Sequence, residues 1–154
     1  MSWKYNNGDI GNKTALKTFT DDMIPEGAHG FIYLMIVIID GQIKIYIGKK
    51  NFYSNRKKKF GKKALAAITD KRHKKYEMIK KLSYQNYYSS NEIIKQAYKE
   101  GVDIERHILK ICYSKAELTY EEVKAQFKFE VLEDERYLNS NILGKFYKKT
   151  NGIL

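Results

Sequence analysis

The sequence predicts a small α+β domain on a mainly antiparallel sheet. Two observations carry this. Apolar, β-branched runs on either side of Asp40-Gly41 read as a hairpin. Helical stretches, a third strand-like run and a last amphipathic helix then follow in order. The chain has 154 residues, 43% hydrophobic and 14% aromatic, enough for one core and too little for two ordinary domains.

Residues 1–27 are polar and rich in Gly and Asn, and read as an N-terminal arm with at most a short strand or helix. Pro25-Glu26-Gly27 closes it as a turn. Residues 28–154 form the predicted domain and its C-terminal tail. His29 to Ile39 has the length and β-branched content of a buried strand. Asp40-Gly41 suits a tight turn, which needs positive φ at both central residues. In the next strand Ile43, Ile45 and Ile47 alternate with Gln42, Lys44 and Tyr46, so Tyr46 faces away from the isoleucines. Ser54 or Asn55 suits the cap of a helix through RKKKFGKKALAAI, which Gly61 weakens. DKRHKKYEMIKKL reads as a second helical stretch with Tyr76, Ile79 and Leu82 on one face. Ser89-Ser90-Asn91 caps NEIIKQAYKEG, whose stripe is Ile93, Ile94 and Ala97 and whose stop is Gly101. IERHILKICY is the third strand. Ser114 starts a helix with Leu118, Val123, Phe127 and Val131 inward and acids in its early turns.

Charge narrows the function. Lys plus Arg number 29 and Asp plus Glu 18, a net +11. Between Lys49 and Lys81 fourteen Lys or Arg stand against Asp70 and Glu77, so this segment carries +12 and the rest of the chain −1. Such concentration points to a polyanion partner rather than a neutral metabolite. The longest apolar run, Phe31 to Ile39, is nine residues, short of the ~20 a membrane helix needs. The first residues lack the apolar core of a secretion signal. Cys112 is alone, which excludes an internal disulfide and a Cys-based zinc cluster; it reads as a small buried core residue. His29, His73 and His107 lack ligand spacing, and the last two read as structural or surface groups. A reducing, cytoplasmic setting is the default.

The chemistry-bearing residues recur in a pattern. Gly30-Phe31-Ile32-Tyr33 lies on the first strand and Tyr46-Ile47-Gly48 on the second. Arg56 follows ten residues after Tyr46. Tyr120, Glu122 and Gln126 sit on the last helix, and Tyr137-Leu138-Asn139 comes after it. From Gly27 to Ile142 the chain resembles small GIY-YIG endonucleases of the bacteriophage type. That resemblance implies a central three-stranded antiparallel sheet flanked by helices, and divalent-metal-dependent cleavage of DNA, most naturally double-stranded. It implies a water-activating tyrosine, with Tyr33 preferred over Tyr46, Arg56 neutralising the phosphate, and Glu122 holding Mg²⁺ or Mn²⁺; Asn139, which reads equally as a turn residue, and Tyr88 are its candidates for orienting the site. Three departures stand out, one of them a hairpin longer than the family minimum. An extra residue separates Gly30 from Tyr33, and Phe60, four residues after Arg56, replaces the His or Tyr of many relatives. Phenylalanine moves no proton, so a further proton-handling group falls to Lys49, Lys50 or Tyr88.

The same residues make sense chemically. Phosphodiester hydrolysis needs an activated nucleophile and stabilised charge on the phosphate oxygens. A phenol, with a pKa near 10, serves as general base only if neighbours lower it. Lys44, Lys49, Lys50 and Arg56 lie close in sequence to the tyrosine strands and are expected to do so. Arginine offers a fork that fits phosphate. One carboxylate suffices for a hydrated Mg²⁺, and Glu121 is the rival of Glu122. Lys49, Lys50, Lys57, Lys58, Lys59, Lys62 and Lys63, with aromatic neighbours Phe52, Tyr53 and Tyr76, suit DNA binding by phosphate tracking. One chain offers one centre, so a double-strand cut needs a homodimer or two nicks. The alternative is a catalytically inactive nucleic-acid-binding protein on a nuclease scaffold, which Phe60 favours.

Overall fold

The computed structural model describes residues 2–5, 16–70 and 72–148. The strands are β1 (Trp3–Tyr5), β2 (Lys17–Thr18), β3 (Gly30–Ile39), β4 (Gln42–Asn51), β5 (Tyr53–Lys59), β6 (Tyr76–Leu82), β7 (Ile104–Cys112), β8 (Asn141–Ile142) and β9 (Phe146–Tyr147). The helices are α1 (Lys62–Ala67), α2 (Glu92–Lys99) and α3 (Lys115–Lys128).

The expected α+β class holds, with a larger sheet. The antiparallel trio β7-β3-β4 is present, but β1 pairs parallel to β7 and β2 pairs with β1, giving the five-stranded order β2-β1-β7-β3-β4. The extra strands come from the segment read as an arm. Trp3 and Phe19 are buried in the core, and the Trp3 indole N–H donates to the Tyr84 carbonyl at 2.9 Å. The hairpin turns where expected, with φ of 51° at Asp40 and 76° at Gly41.

Both faces of β3 are covered, which explains its unbroken apolar run. Phe31, Tyr33, Met35 and Val37 pack with Trp3, Phe52, Tyr84 and Ile108 on one face. Ile32 and Leu34 pack with Ile45, Ile47, Leu118, Val131 and Tyr137 on the other. The register against β7 jumps between Ile32, opposite Lys110, and Tyr33, opposite Ile108. Leu109 is therefore the extra residue of a bulge.

Two helical expectations are overturned. Residues 53–59 and 76–82 are strands, paired as a separate two-stranded ribbon from Tyr53 opposite Leu82 to Lys59 opposite Tyr76. Only Lys62–Ala67 is helical there. Tyr76, Ile79 and Leu82 are too few to fix a period, and β5 is committed to extension by following β4 after one residue, the fully buried Phe52. The α2 and α3 caps are as expected: Asn91 accepts from the Ile93 and Ile94 N–H groups, and Ser114 from Glu117 N–H. The inward stripes are narrower. Ile93 and Phe127 are each 49% exposed, and Phe127 meets Phe146 instead of the core. Cys112 is buried, which pushes its thiol up to about 11. Among the described residues no helix is long and apolar enough to cross a membrane.

Candidate active site

Strand β4 lies at the edge of the sheet, and its outward backbone groups are met in turn by residues from the far end of the chain. Ile45 N–H donates to the Arg136 carbonyl at 2.8 Å, and the Ile45 carbonyl accepts from Leu138 N–H at 2.7 Å. Two residues on, Ile47 N–H donates to Asn139 Oδ1 at 3.1 Å. The Ile47 carbonyl accepts from Asn139 Nδ2 at 2.8 Å and Gln126 Nε2 at 3.3 Å. Two residues further, the Lys49 backbone hydrogen-bonds the Glu122 carboxylate. The edge is thereby closed against other strands. The same two-residue step sets Asn139, Gln126 and Glu122 in a row.

Tyr46 completes this edge. It lines a groove of about 630 Å³ together with Ser90, Asn91, Glu122, Gln126 and Asn139. Glu122 is half-buried, and burial raises its carboxyl above the ordinary value, opposed by the Lys49 ammonium at 4.0 Å. Glu121 points elsewhere, to Lys110 at 2.9 Å. The helix register thus settles which of the two acids faces Tyr46.

Tyr33 sits behind Tyr46, with ring centroids 6.2 Å apart. It is 1% exposed, and its hydroxyl lies 3.3 Å from both the Tyr87 hydroxyl and Ser89 Oγ. Ser89 is itself held at φ 70°, a conformation that non-glycine residues rarely adopt. Tyr33 pairs with Gly48 across the hairpin. A Cβ on Gly48 would stand 2.5 Å from the Tyr33 hydroxyl oxygen and 2.6 Å from its ring. The two signature motifs are therefore one packed unit: the second ends in glycine because the first lays a tyrosine across it. A family model described as "Putative endonuclease segE, GIY-YIG domain" matches residues 13–142.

The chain belongs to the GIY-YIG endonuclease family. Neither curated proteins nor solved structures give a match.

The GIY-YIG site residues read from the sequence divide into two groups. Tyr33, Tyr46, Glu122 and Asn139 come together, with Lys49 beside Glu122 and also donating to Thr119 Oγ1 at 3.0 Å. Lys50 lies on the Tyr33 side, its ammonium 4.9 Å from the Tyr87 ring centre and 3.3 Å from Ser83 Oγ. Arg56 does not line the groove. It is exposed on β5, and among the described residues its side chain makes no hydrogen bond or ion pair. Lys57, Lys58 and Lys59 share that strand, and Lys62 and Lys63 stand exposed on α1. Tyr88 is also away from the groove, stacked on Tyr98 at 4.0 Å and beneath the Arg106 guanidinium at 4.2 Å. Its neighbour Tyr87 makes the site contact instead.

The expected acidification of the tyrosines is reversed. Burial pushes the Tyr33 hydroxyl far above its ordinary value of 10.0. Burial also raises Tyr46, with Glu122 adding to it and a hydrogen bond from Ser90 opposing it. The lysines do not offset this burial, because they have other partners. Lys49 is drawn to Glu122, and Lys50 sits over the face of Tyr87. Sequence reading also misses Tyr87, Ser89 and Ser90 as site residues. Their signal is the Tyr87-Tyr88-Ser89-Ser90 run, a string that the resemblance also carries and whose serines otherwise read as helix caps.

Gly48→Ala tests the packed unit. The new methyl meets a fully buried ring that has no room to swing, so a loss of about 1–3 kcal/mol is expected by urea denaturation. Unchanged stability would mean that Tyr33 is not lodged against β4.

Proposed function

We propose that the chain is a metal-dependent endonuclease of double-stranded DNA, working in the cytoplasm, with its hydrolytic centre in the groove at the β4 edge. The observation that carries this is the convergence of Tyr46 and Glu122 on one groove beside the Tyr33–Gly48 unit. Tyr46 is the tyrosine open to substrate, and it takes the general-base role that the resemblance gave to Tyr33. In its deprotonated form the phenolate oxygen takes a proton from the attacking water and becomes the hydroxyl, and Ser90 orients it. Tyr33 is a positioning residue that holds Tyr46 from behind. Asn139 and Gln126 fix the backbone of β4 beneath the reacting phosphate. Lys49 is the cation nearest the carboxylate and turns to the phosphate when DNA enters. Arg56 contacts DNA from the ribbon.

Glu122 would hold the metal. Among the described residues no three His, Cys, Asp or Glu side chains gather as a ligand set. A single half-buried carboxylate fits Mg²⁺ or Mn²⁺, which keep waters and take remaining ligands from the substrate. When bound, the cation supplies positive charge to the phosphate oxygens and offsets the effect of Glu122 on Tyr46. With one centre per chain, a double-strand break takes a homodimer or two successive nicks.

Supercoiled plasmid tests the reading. Nicked and linear products are expected with Mg²⁺, and binding without cleavage in EDTA. Binding without cleavage in both Mg²⁺ and Mn²⁺ would replace it with the inactive, nucleic-acid-binding alternative.

A further inference from the structure

The ribbon β5–β6 has no core of its own. None of the described residues from Tyr53 to Ser83 is buried. An isolated two-stranded hairpin is marginal in water. The ribbon nevertheless exposes large apolar side chains, Met78 at 53% and Ile79 at 38%, on opposite faces. From Tyr53 to Leu82 the chain carries twelve Lys or Arg against Asp70 and Glu77. A cationic surface that also bares apolar groups suits a partner that is an anion at its rim and apolar within.

We propose that this ribbon enters the major groove of B-form DNA and that the Arg56–Ile79 pair reads base edges there. The inference rests on the DNA-substrate reading above. Two strands about 4.8 Å apart, with side chains, fill a groove about 12 Å wide, and seven residues reach along it for about 23 Å. Arg56 and Ile79 lie directly opposite each other and so share a face. The Arg56 fork matches the N7 and O6 acceptors of guanine, and an isoleucine beside it suits the methyl of a neighbouring thymine. Lys57 on the other face is less free, with its ammonium 4.5 Å from the Tyr76 ring centre. Lys58 flanks Arg56 on the reading face and reaches the phosphates. This gives Arg56 a recognition role in place of the catalytic one that its spacing suggested.

The test is methylation interference with the full chain in EDTA, where cleavage is silent and binding alone is read. Methyl groups on guanine N7, in the major groove, are expected to block wild-type binding at defined positions. Arg56→Ala should bind about 10–100-fold more weakly to the preferred site and no longer show that interference. Ile79→Ala should lose preference for thymine over uracil at the adjoining position. Changing Lys57, Lys58 and Lys59 to Ala should weaken binding to every sequence and reduce the log–log salt slope by about 0.9 for each phosphate left without its cation. Duplex RNA should compete poorly, because its major groove is too narrow to admit the ribbon. Interference only at adenine N3, or equal affinity for duplex RNA, would overturn the groove assignment and leave the nuclease reading intact. Absence of any DNA binding by the wild type would overturn both. All these substitutions lie on exposed positions, and circular dichroism checks that the variants fold.

Discussion

Tyr46→Phe is expected to fold, to bind DNA in EDTA and to lose about 10²–10⁴-fold in Mg²⁺-dependent cleavage, the contribution of positioned proton transfer. The ring stays, so packing against Tyr33 is kept, and only the hydroxyl beside Ser90 and Glu122 is removed. Tyr33→Phe should lose less. Its hydroxyl is buried between Tyr87 and Ser89 and out of reach of substrate, so its removal costs about 1 kcal/mol of stability and a small loss of rate through Tyr46. A larger loss at Tyr33 than at Tyr46 would restore Tyr33 as the base. The pH profile adds a second reading. Burial and Glu122 hold Tyr46 above 10.0, so the fraction ready to accept a proton grows as pH rises. Cleavage should still be climbing at pH 9, with no plateau near neutrality. At the acid end Glu122 protonates above its ordinary 4.5, so activity should fall away earlier than an exposed carboxylate would allow. A plateau near pH 7 would instead mean that a group other than Tyr46 limits the rate.

Glu122→Gln is expected to lower cleavage by at least about 100-fold, the scale of losing one strong electrostatic group at a reacting centre. Glutamine keeps the size, and its carbonyl still accepts from the Lys49 backbone, so the β4 edge stays closed. DNA binding should survive, since the ribbon is untouched. Raising the Mg²⁺ concentration should recover part of the missing rate if the charge serves to hold the metal. Glu121→Gln is the control: it breaks the ion pair with Lys110 of β7, on another face of α3, and should leave cleavage within a few-fold of wild type. Inactivity of Glu121→Gln with full activity of Glu122→Gln would show that the catalytic acid lies on the Lys110 side of the helix.

Much of this was legible in the residues. The hairpin, its Asp40-Gly41 turn, the side of β4 that Tyr46 takes, the third strand, and the Asn91 and Ser114 caps depend on local chemistry and short periods, which a single segment carries by itself. The paired tyrosine motifs and the late glutamate also stand in the sequence, because their spacing is a property of the chain. What tertiary structure decided depends on residues far apart. The helix register put Glu122 on the groove and Glu121 on Lys110, a difference of about 100° around α3 that adjacent positions hide. The outer hydrogen-bonding side of β4 recruited Asn139, 92 residues after Ile47. The strands from Trp3 and Lys17 became visible only once β7 offered an open edge to pair with.

The basic segment was where local reading failed. Its lysines and arginines favour a helix, and its three apolar positions recur every three residues as on a helix face; pairing of β5 with β6 overrode both and carried Arg56 out of the groove. Electrostatics failed in the same way. Sequence placed lysines near tyrosines and implied acidic phenols, while the fold buried the hydroxyls and gave the lysines other partners, Glu122 for Lys49 and the Tyr87 face for Lys50. Which groups the chain owns, and how its strands turn, are properties of neighbouring residues. Only the packed structure decided which of them lose water and face each other, because desolvation and register arise from contacts between distant segments.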